Sequence, residues 1–408
     1  AHHEVVSFGS VDAEQAFPLG AAVTLEQLDQ NPHPVLAELR KSEPVSWLPA
    51  LGGWLVTRYD LVLAVMRDAT TFTVEDPRFS TAQVVGPSML SLDGEAHARH
   101  REPFAPPFRP RAVRERFAEA TAAEADRLID RFEQEQPGRA ELRRAFAGPL
   151  AASIMARALG LEQDEVATML TWYDAIVAAV TDVTAGHDVP ASGQEAFDAL
   201  RDRLESVIWQ GPDSSLLGAV AAQQDLTTEQ IVSNAAVLLF GGIETTEGMI
   251  ANALLDLLEH PELLAWIGHD RSRLEAALEE SLRLEPAAAV IDRYATTDSE
   301  LRDADIRRGE LVRVSISAGN RDPAVFPDPN RFDPGRVDRA ATPRRHLTFA
   351  HGPHVCLGVH LARLEARTAL ETILWRLPGL RTDPRRPSHV RGLVFRKPPT
   401  LHVLWQDA

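Results

Sequence analysis

The only cysteine of this 408-residue chain lies in the segment Phe349-Ala350-His351-Gly352-Pro353-His354-Val355-Cys356-Leu357-Gly358. A chain with one cysteine has no internal disulfide and cannot form a cysteine-rich zinc site. A helical pattern begins directly after Cys356, and the dipole and free N–H groups of a helix N-terminus stabilise a thiolate. Gly352 and Gly358 allow a positive φ and the close approach of a flat ligand. These features together suit a thiolate ligand to a haem iron.

A lone cysteine is more commonly a buried structural thiol, so the spacing of its neighbours matters. The segment resembles the haem-binding loop of the cytochrome P450 family, Phe-Gly-x-Gly-x-His-x-Cys-x-Gly. It departs at Ala350, where the family usually has glycine, and this change costs free energy only if the position needs a positive φ. The resemblance implies that Cys356 is the axial ligand of the haem iron. The matching, haem-contacting positions are Phe349, Gly352, His354, Cys356 and Gly358.

A second segment follows the order of the family: Phe240-Gly241-Gly242-Ile243-Glu244-Thr245-Thr246, inside an apolar stretch that predicts a buried helix over 228–258. Adjacent glycines cost roughly 1 kcal/mol each in a helix, and a buried acid must be satisfied. A helix–helix crossing is one interpretation. The resemblance implies instead an oxygen-binding groove, in which Gly241 and Gly242 open space over the haem. Thr245 would then hydrogen-bond the dioxygen and Glu244 would lead protons inward, because O–O cleavage needs two protons.

Glu280 and Arg283 lie three residues apart on a predicted helix and face each other. Taken alone, such a pair predicts a surface ion pair of little value. In the family the equivalent pair is buried and is completed by a second arginine from a proline-rich coil. The coil 326–332 supplies Arg331. The resemblance therefore predicts a buried cluster of Glu280, Arg283 and Arg331 that serves folding and haem retention.

The two propionates of a buried haem require several hydrogen-bond donors. The resemblance assigns them to His97 and Arg101, one helical turn apart, together with Arg293 and His354. Solvated helix surface is the alternative for His97 and Arg101. We predict no separate metal site, because a compact chelate spacing is missing from the histidines of this region, His346, His351, His354 and His360.

The resemblance implies the P450 fold, which is mainly α with small β-sheets and forms a single compact triangular domain. We expect this haem domain to span residues 1–408, with a flexible segment over about 1–20, because no linker, charge run or repeat divides the chain. Short strands are expected at 45–47, 53–56, 311–315 and 401–404, the first two as a hairpin. Helical patterns cover residues 111–133, 139–160, 162–180, 194–209, 228–258, 261–285 and 357–376.

The chain has no apolar run of 18 residues and no signal-peptide pattern, so we expect a cytoplasmic monomer that resembles the bacterial members of the family. Its net charge of −17 argues against nucleic acid or an anionic membrane as a partner.

A basic cluster nevertheless lies between Arg99 and Arg116. In this fold it would line the thiolate side of the haem and steer a small acidic electron carrier, a ferredoxin whose reductase takes electrons from NAD(P)H. The alternative is a solvated arginine-rich face. The arginines concerned are Arg99, Arg101, Arg109, Arg111, Arg114 and Arg116, with Arg344 and Arg345 before the cysteine segment.

The pocket over the haem is predicted from position, and its lining is apolar. Phe240 and Phe395 would narrow it, which favours a small to medium hydrophobic substrate, aromatic ones included. The loop from Phe72 to Leu90 and the segment from Trp172 to Val189 are expected to form the lid and entrance. Arg78 lies in the first of these and is expected to be an exposed loop arginine rather than a carboxylate ligand. The predicted lining residues are Met89, Leu90, Val237, Phe240, Gly241, Ala289, Val290, Ile291, Val394 and Phe395.

Three functions are compatible with these motifs. The resemblance implies a monooxygenase that hydroxylates or O-/N-dealkylates an organic substrate with haem b, O2 and electrons from separate proteins. A peroxide-driven hydroxylase or decarboxylase is the second, but those members generally carry Arg-Pro where this chain has Glu244-Thr245. A haem-based sensor or carrier is the third, and it would not need a proton-delivery pair.

Overall fold

The computed structural model describes residues 10–184, 187–211, 215–336 and 345–405. The helices are α1 (Ser10–Ala16), α2 (Pro18–Ala21), α3 (Leu25–Gln30), α4 (His33–Ser42), α5 (Tyr59–Arg67), α6 (Ser80–Val85), α7 (Gly94–Arg101), α8 (Pro110–Glu135), α9 (Gly148–Leu159), α10 (Val166–Thr184), α11 (Ala191–Trp209), α12 (Leu216–Ala222), α13 (Thr228–Leu258), α14 (Pro261–Ile267), α15 (Arg271–Leu284), α16 (Ile316–Gly319) and α17 (Val359–Arg376). The strands are β1 (Val45–Leu48), β2 (Gly53–Val56), β3 (Phe72–Thr73), β4 (Arg139–Glu141), β5 (Val290–Ala295), β6 (Ser299–Leu301), β7 (Ala304–Ile306), β8 (Leu311–Ser315), β9 (Arg381–Thr382) and β10 (His402–Leu404).

The larger sheet has the strand order β1-β2-β8-β5-β3, and two small sheets have the orders β4-β10-β9 and β6-β7. β1 and β2 form the predicted hairpin, with Trp47 opposite Trp54. The two indole rings pack edge to face with centroids 5.5 Å apart. β8 pairs in parallel with β2 and antiparallel with β5. Arg293 lies within β5, opposite Val312 of β8.

Helix α13 is buried along most of its 31 residues, as its apolar pattern predicts. It begins at a capping box, in which the Thr227 hydroxyl accepts from the Gln230 N–H and the Gln230 side chain accepts from the Thr227 N–H. It packs against α9, α15 and α17. The Gly241–Thr245 segment therefore lies in the middle of the helical layer, close to the helix that follows the cysteine.

Two predicted helices are wrong in extent. The helix expected over 139–160 begins at Gly148, because Arg139–Glu141 pairs with β10 and a π turn precedes α9. The helix expected over 261–285 is divided into α14 and α15. Gly268 has a φ of +51° between them, and the Asp270 side chain caps α15 by accepting from the Ser272 N–H.

The N-terminal helices pack on the larger sheet. The Phe17 ring lies edge-on to Trp54 with centroids 5.2 Å apart. The Gly20 N–H donates to the Glu43 carboxylate at 2.9 Å. Most of residues 10–21 belong to the helices α1 and α2, and residues 1–9 of the segment predicted to be flexible over 1–20 lie outside the described residues.

Among the described residues, Gln163–Thr184 is long and apolar enough by length and composition to cross a membrane. A third of its most apolar window is buried inside the fold, and core helices of soluble proteins meet the same criterion. In this structure α10 packs against α11, α9 and α6.

Candidate haem site

The cysteine loop is held by its own backbone and by α5. The Cys356 N–H donates to the Phe349 carbonyl at 2.9 Å, which closes the loop. Gly352 has a φ of +76°, and a Cβ at this position would approach the Met66 carbonyl oxygen to 2.5 Å. Glycine is therefore required at position 352 both by its backbone conformation and by the close approach of α5.

Ala350 has a φ of +56°, in the left-handed region that favours glycine. This is the position at which the segment departs from the family pattern. The departure therefore has an energetic cost, because a Cβ in the left-handed conformation approaches the following carbonyl oxygen.

Cys356 lies shortly before Val359, where α17 begins, and the residue as a whole is half-buried. The Gly358 N–H donates a hydrogen bond to its sulfur. Burial raises the pKa of the Cys356 thiol, and the Gly358 N–H, Arg101 and Arg363 oppose that rise. N–H donors and guanidinium groups are the neighbours that a thiolate ligand to iron requires.

The predicted propionate partners meet beside the loop. His97 is 6% exposed, and its Nε2 atom has no hydrogen-bond partner among the residues that the structure describes. Its ring lies 4.4 Å from that of His354, whose Nε2 is 2.7 Å from Asp93 Oδ1. Burial, followed by the charges of His354 and Arg101, lowers the pKa of His97 to about 4.

Two arginines complete this group. Arg101 donates to the Val355 carbonyl at 2.6 Å, and buried Arg293 donates to the Asp292 carbonyl at 2.8 Å. The orphan nitrogen of His97 is influenced by Arg101, and Arg293 interacts with Asp93, which binds His354, so these side chains form a donor-rich cradle. It fits the two carboxylates of haem, whereas a solvated helix surface would not leave His97 Nε2 buried without a partner.

The two adjacent glycines of α13 have different surroundings. A Cβ on Gly241 would meet no atom of the described part of the chain within 4 Å, so this glycine faces open space. A Cβ on Gly242 would collide with the Met155 side chain of α9. The prediction that both glycines open space over the haem is therefore wrong for Gly242, which is the close-contact residue of a helix–helix crossing.

Thr245 lies one turn after Gly241 and remains partly exposed. Its hydroxyl donates to the Gly241 carbonyl at 2.6 Å. This back-bond uses the hydroxyl proton within the helix and leaves the oxygen lone pairs free to accept. The open face of α13 thus presents a small residue and a hydroxyl together.

Glu244 is 5% exposed and has two partners on its carboxylate. The Tyr173 hydroxyl of α10 donates to Oε2, and the Lys397 ammonium is 2.7 Å from Oε1. Glu247, one turn further along α13, also pairs with Lys397. Burial and the charge of Glu244 raise the pKa of Tyr173 well above its ordinary value, so this hydroxyl stays protonated and acts as a donor. The sequence reasoning missed Tyr173, Glu247 and Lys397.

The buried cluster below the loop contains Glu280 and Arg283, but its second arginine is Arg336. Arg283 binds the Glu280 carboxylate through Nε and Nη2 at 2.9 and 2.8 Å. Arg336 Nε adds a third bond at 3.0 Å. The predicted partner Arg331 has an exposed side chain and offers only its carbonyl, which accepts from Arg283 at 3.2 Å. The choice of Arg331 was therefore wrong.

Asn320 connects this cluster to the cysteine loop and was not predicted. It is fully buried. Its side chain accepts from the Leu347 N–H at 2.6 Å and donates to the Thr348 hydroxyl at 3.0 Å, and its carbonyl accepts from Arg283 at 2.9 Å. Asn320 thus joins α15, through its backbone carbonyl, to the residues that precede Phe349, through its side chain. Its signal in the sequence was its place in the coil that begins Asn320-Arg321-Asp322-Pro323.

Phe349 itself is covered by Arg363 of α17, whose guanidinium lies 4.6 Å from the ring centroid. Arg363 also binds Glu279 in a bidentate pair at 2.6 and 2.7 Å. His346 and Arg363 outweigh burial and lower the pKa of Glu279 to about 2. This ion pair fixes the proximal side of the loop.

The predicted pocket residues divide into two groups. Phe240 and Phe395 meet edge to face with centroids 5.5 Å apart, and the Ala289 N–H donates to the Val394 carbonyl at 2.9 Å. The residues that share the helical core with this pair are Met89, Leu90 and Val237. Ala289 and Val290 instead line a small cavity beside Leu28 and Leu36, and Ile291 packs in the core of the larger sheet.

The lid segment is attached to α13 by a residue that the sequence reasoning missed. Asn234 is fully buried, accepts from the Met89 N–H at 2.8 Å and lies 3.0 Å from His100 Nδ1. Arg78, in the same lid region, binds Asp76 in a bidentate pair at 2.7 and 2.8 Å and donates to the Gly309 carbonyl. Arg78 is therefore satisfied by Asp76 of its own loop and by the Gly309 carbonyl, and it is an exposed arginine as expected.

The basic face is partly used for internal contacts. Arg99 donates to the Asp225 carbonyl at 3.0 Å, near the start of α13, and Arg111 pairs with Glu115 at 2.6 Å. Arg109 and Arg114 are exposed, and no ion pair holds either of them within the described part of the chain. The Arg345 carbonyl accepts a hydrogen bond from the Tyr59 hydroxyl. Arg344 lies outside the described residues.

Comparison with known proteins identifies the family. The Cytochrome P450 family model matches residues 210–403. The chain is 34% identical to cytochrome P450 monooxygenase PikC of Streptomyces venezuelae, over 86% of this chain and 85% of that protein. It is 33% identical to nocardicin C N-oxygenase of Nocardia uniformis subsp. tsuyamanensis, over 96% of this chain and 98% of that protein.

A solved structure of P450BioI in complex with an acyl carrier protein superposes with a TM-score of 0.81 at 28% identity, over 93% of this chain and 100% of that chain. The chain belongs to the cytochrome P450 family, and it is a P450 monooxygenase with the P450 fold. Its cofactor is haem bound through a thiolate, with O2 as the oxidant and electrons from NAD(P)H through partner proteins. The thiol, the donor-rich cradle and open Gly241 fit that group.

Proposed function

We propose that this monooxygenase hydroxylates or O-/N-dealkylates a small to medium hydrophobic substrate, and that Glu244 and Thr245 manage its protons. The observation that carries this proposal is the arrangement on α13. Gly241 faces open space, the Thr245 hydroxyl lies on the carbonyl of Gly241, and the buried Glu244 precedes it. A carboxylate and a hydroxyl at neighbouring positions can pass protons to a site above the open residue.

Haem held by a thiolate supplies the activation of O2. The residues of this chain do the rest. Gly241 leaves room, Thr245 accepts a hydrogen bond there while its own proton stays on the helix, and Glu244 holds a carboxylate within one residue of that hydroxyl. The apolar pair Phe240 and Phe395 excludes water from the same space.

Replacement of Thr245 by alanine tests the proposal. We expect NAD(P)H consumption to continue while product falls several-fold and hydrogen peroxide rises, because proton delivery loses its hydroxyl. Thr246→Ala is the matched control, since this neighbouring hydroxyl is 2% exposed and away from the open face. Equal product yields in Thr245→Ala and Thr246→Ala would refute the role of Thr245.

The same variants separate the two alternative functions. A peroxide-driven enzyme would form product from added hydrogen peroxide at a rate that does not depend on Thr245. A haem sensor would bind ligands and consume no NAD(P)H beyond the rate without substrate. The buried acid next to Thr245 favours the monooxygenase over both, because neither alternative needs protons delivered over the haem.

The substrate proposal rests on the edge-to-face contact between Phe240 and Phe395, with centroids 5.5 Å apart. Titration of the ferric protein with small aromatic ligands should shift the Soret band from low to high spin. Phe395→Ala should admit larger ligands and weaken binding of the small ones, whereas Trp209→Ala, an exposed aromatic on α11, should change neither. A shift with macrocycles alone in the wild type would overturn the proposal.

We also propose that a ferredoxin docks on the thiolate side of the molecule. Burial, followed by Arg363 and Arg114, lowers the pKa of His360 on α17, so Arg114 lies close to the helix that carries the cysteine loop. Val355, next to the ligand, is 42% exposed, which offers an apolar contact inside a basic rim. An acidic electron carrier would complement this surface.

Charge reversal of two arginines tests this docking surface. Arg109→Glu with Arg114→Glu should slow haem reduction by the carrier, and the difference from wild type should grow at low salt because the attraction is long-range. Arg131→Glu, near the far end of α8, is the matched control. Reduction rates that are equal for the double variant and the control would rule out this surface.

We propose finally that the chain works as a cytoplasmic monomer with a single haem domain. One continuous apolar core includes α8, α9, α13, α17 and the C-terminal Trp405, which supports one domain. Gel filtration at micromolar concentration would test the monomer, and a dimer would contradict it. Limited proteolysis would test the single domain, and two stable fragments would contradict it.

A further inference from the structure

Lys397 has an unusual position for one of only two lysines in the chain. The chain has 42 lysines and arginines together, and all of them except Lys41 and Lys397 are arginines. Lys41 is exposed on α4, whereas the Lys397 side chain is 11% exposed and lies between two glutamates of α13. Its ammonium is 2.7 Å from Glu244 Oε1 and also binds Glu247 Oε2.

The cluster around Lys397 balances its charges. Arg143 Nε lies 3.0 Å from Glu247 Oε1, so two buried carboxylates face one ammonium and one guanidinium. The Glu247 side chain is 2% exposed, and a charge at that depth needs such pairing. Removal of the Lys397 ammonium would leave Glu244 without a cationic partner.

The backbone at Lys397 is fixed independently of its side chain. The Arg396 carbonyl accepts from the Asn252 side chain at 3.0 Å, and the Arg396 N–H donates to the Ala287 carbonyl at 2.8 Å. The Lys397 Cβ lies close to the site where a Cβ on Gly248 would stand, at 3.5 Å. The chain therefore holds the ammonium at a defined place beside α13.

The other oxygen of Glu244 is bound from α10. Tyr173 is 4% exposed and donates its hydroxyl to Glu244 Oε2. α10 belongs to the segment predicted to form the lid and entrance, and it packs against α6 and α11. The two oxygens of the acid are thus held by one fixed residue and by one residue on the lid helix.

We propose that Lys397 is a positioning residue for Glu244, and that Tyr173 makes the position of that acid depend on α10. With both partners in place, the carboxylate is directed at Tyr173 and Lys397 rather than at Thr245. Displacement of α10 removes the Tyr173 hydroxyl from Glu244 and leaves Lys397 as the remaining partner that holds the carboxylate within reach of Thr245. This inference rests on the proposed role of Glu244 in proton delivery.

Lys397→Met tests the positioning role, with Lys41→Met as the matched control. We expect Lys397→Met to raise the fraction of NAD(P)H electrons that form hydrogen peroxide several-fold and to change the solvent isotope effect on O2 consumption. The reduced CO spectrum and the Kd of a spin-shifting ligand should stay unchanged, because Lys397 touches neither the thiolate loop nor the predicted pocket. Lys41→Met should resemble the wild type in every readout.

A second variant separates positioning from simple charge balance. In Lys397→Met with Glu247→Gln, one positive and one negative charge are removed together, and we expect thermal stability to recover toward that of the wild type. The peroxide fraction should remain high, since Glu244 still lacks the ammonium. Recovery of both stability and product yield would overturn the positioning role.

The link to α10 has a test that does not depend on activity. Acetylation with an amine-reactive reagent, followed by mass spectrometry, measures how accessible the Lys397 amine is, with exposed Lys41 as the internal reference. Tyr173→Phe removes the hydrogen bond that ties α10 to the cluster, so the reagent should reach Lys397 more readily and the Lys397 to Lys41 labelling ratio should rise several-fold, while Tyr294→Phe, outside the cluster, should leave the ratio unchanged. An unchanged ratio in Tyr173→Phe would refute the coupling to α10.

The outcomes also separate this inference from the proposed function. If Thr245→Ala uncouples the enzyme and Lys397→Met does not, the proton role of α13 stands and the positioning role of Lys397 is wrong. If neither variant uncouples the enzyme while Tyr173→Phe still raises labelling, the cluster is structural and the proposed role of Glu244 is wrong.

Discussion

The backbone of the cysteine loop is strained at Ala350, because an alanine occupies the left-handed region there. Its φ of +56° is imposed by the closed loop, in which the Ala350 N–H donates to the Leu347 carbonyl at 2.8 Å. An L-residue pays roughly 1–2 kcal/mol for this conformation, and glycine avoids that cost while losing about 0.4–1 kcal/mol of unfolded-state entropy. The balance favours glycine.

We therefore expect Ala350→Gly to raise the free energy of unfolding by about 0.5–1 kcal/mol and to slow haem release. Ala362→Gly, in the regular helix α17, should lower stability by about 1 kcal/mol and serves as the opposite-sign control. Thermal unfolding and haem transfer to an acceptor protein measure both effects. A lower melting temperature for Ala350→Gly would show that its Cβ packing outweighs the backbone strain.

Gly241 and Gly242 are chemically identical neighbours with opposite environments. Successive helix positions point about 100° apart, so one glycine faces open space while the next meets Met155 of α9. The pair thus serves two purposes, a vacancy on one face of α13 and a close crossing on the other. A glycine pair in a sequence does not show which face each member occupies.

The conformation of the coil after α16 determines which of its arginines binds the Glu280 carboxylate. Asp328 has a φ of +49°, and the turn that it forms directs the Arg331 side chain outward and its carbonyl inward. Arg336, five residues later, returns to the Glu280 carboxylate and is itself held by the Asp328 carbonyl at 3.1 Å. The coil therefore contributes carbonyls at one point and a guanidinium at another.

Arg336→Ala should destabilise the protein by about 3–5 kcal/mol, because it leaves a buried carboxylate with one cation fewer. Arg331→Ala should stay within roughly 0.5 kcal/mol of the wild type, because that side chain is exposed. Haem content after purification and urea unfolding provide the two measurements. The reverse order of the two variants would restore Arg331 as the partner of Glu280.

Acidic pH should release the haem loop from both of its sides. The hydrogen bonds from His354 and Thr73 outweigh burial and lower the pKa of Asp93 to about 2, and His346 and Arg363 do the same for Glu279. The ordinary carboxyl pKa values, which apply to the unfolded chain, are 3.8 for Asp and 4.5 for Glu. A carboxyl group whose pKa is lower in the folded protein stabilises the fold at pH values above the ordinary pKa. That stabilisation is lost as the pH falls toward 2.

We expect the Soret band of the thiolate form to be lost progressively between about pH 4.5 and pH 2. Asp93→Asn and Glu279→Gln should each be less stable at pH 7 and show a flatter pH dependence, since the linked proton is removed. Asp270→Asn, at the cap of α15, is a comparison that leaves the loop untouched. An equally steep acid transition in Asp93→Asn with Glu279→Gln would assign the acid sensitivity to other carboxyl groups.

The family, the fold class and the haem-thiolate cofactor could be predicted from the sequence and are confirmed by the comparisons. The family, the fold class and the cofactor were predicted from the resemblance of the motifs. The hairpin and the helix were predicted from local patterns, which depend on neighbours within a few residues. The predicted hairpin and the helix over 228–258 appear with nearly the expected bounds. The long patterns over 139–160 and 261–285 failed because strand pairing and a cap interrupt them.

The sequence by itself indicated a haem-thiolate protein, because the spacing around Cys356 and the run Gly241-Gly242-Ile243-Glu244-Thr245-Thr246 resemble the motifs of the cytochrome P450 family. Only the tertiary structure determined the partners of these residues. Arg336 rather than Arg331 reaches Glu280, and Lys397 lies on Glu244 across more than 150 residues of chain. Contacts between distant segments depend on how the coil and the C-terminal loop pack against α13 and α15. No periodicity or spacing within one segment reports that packing.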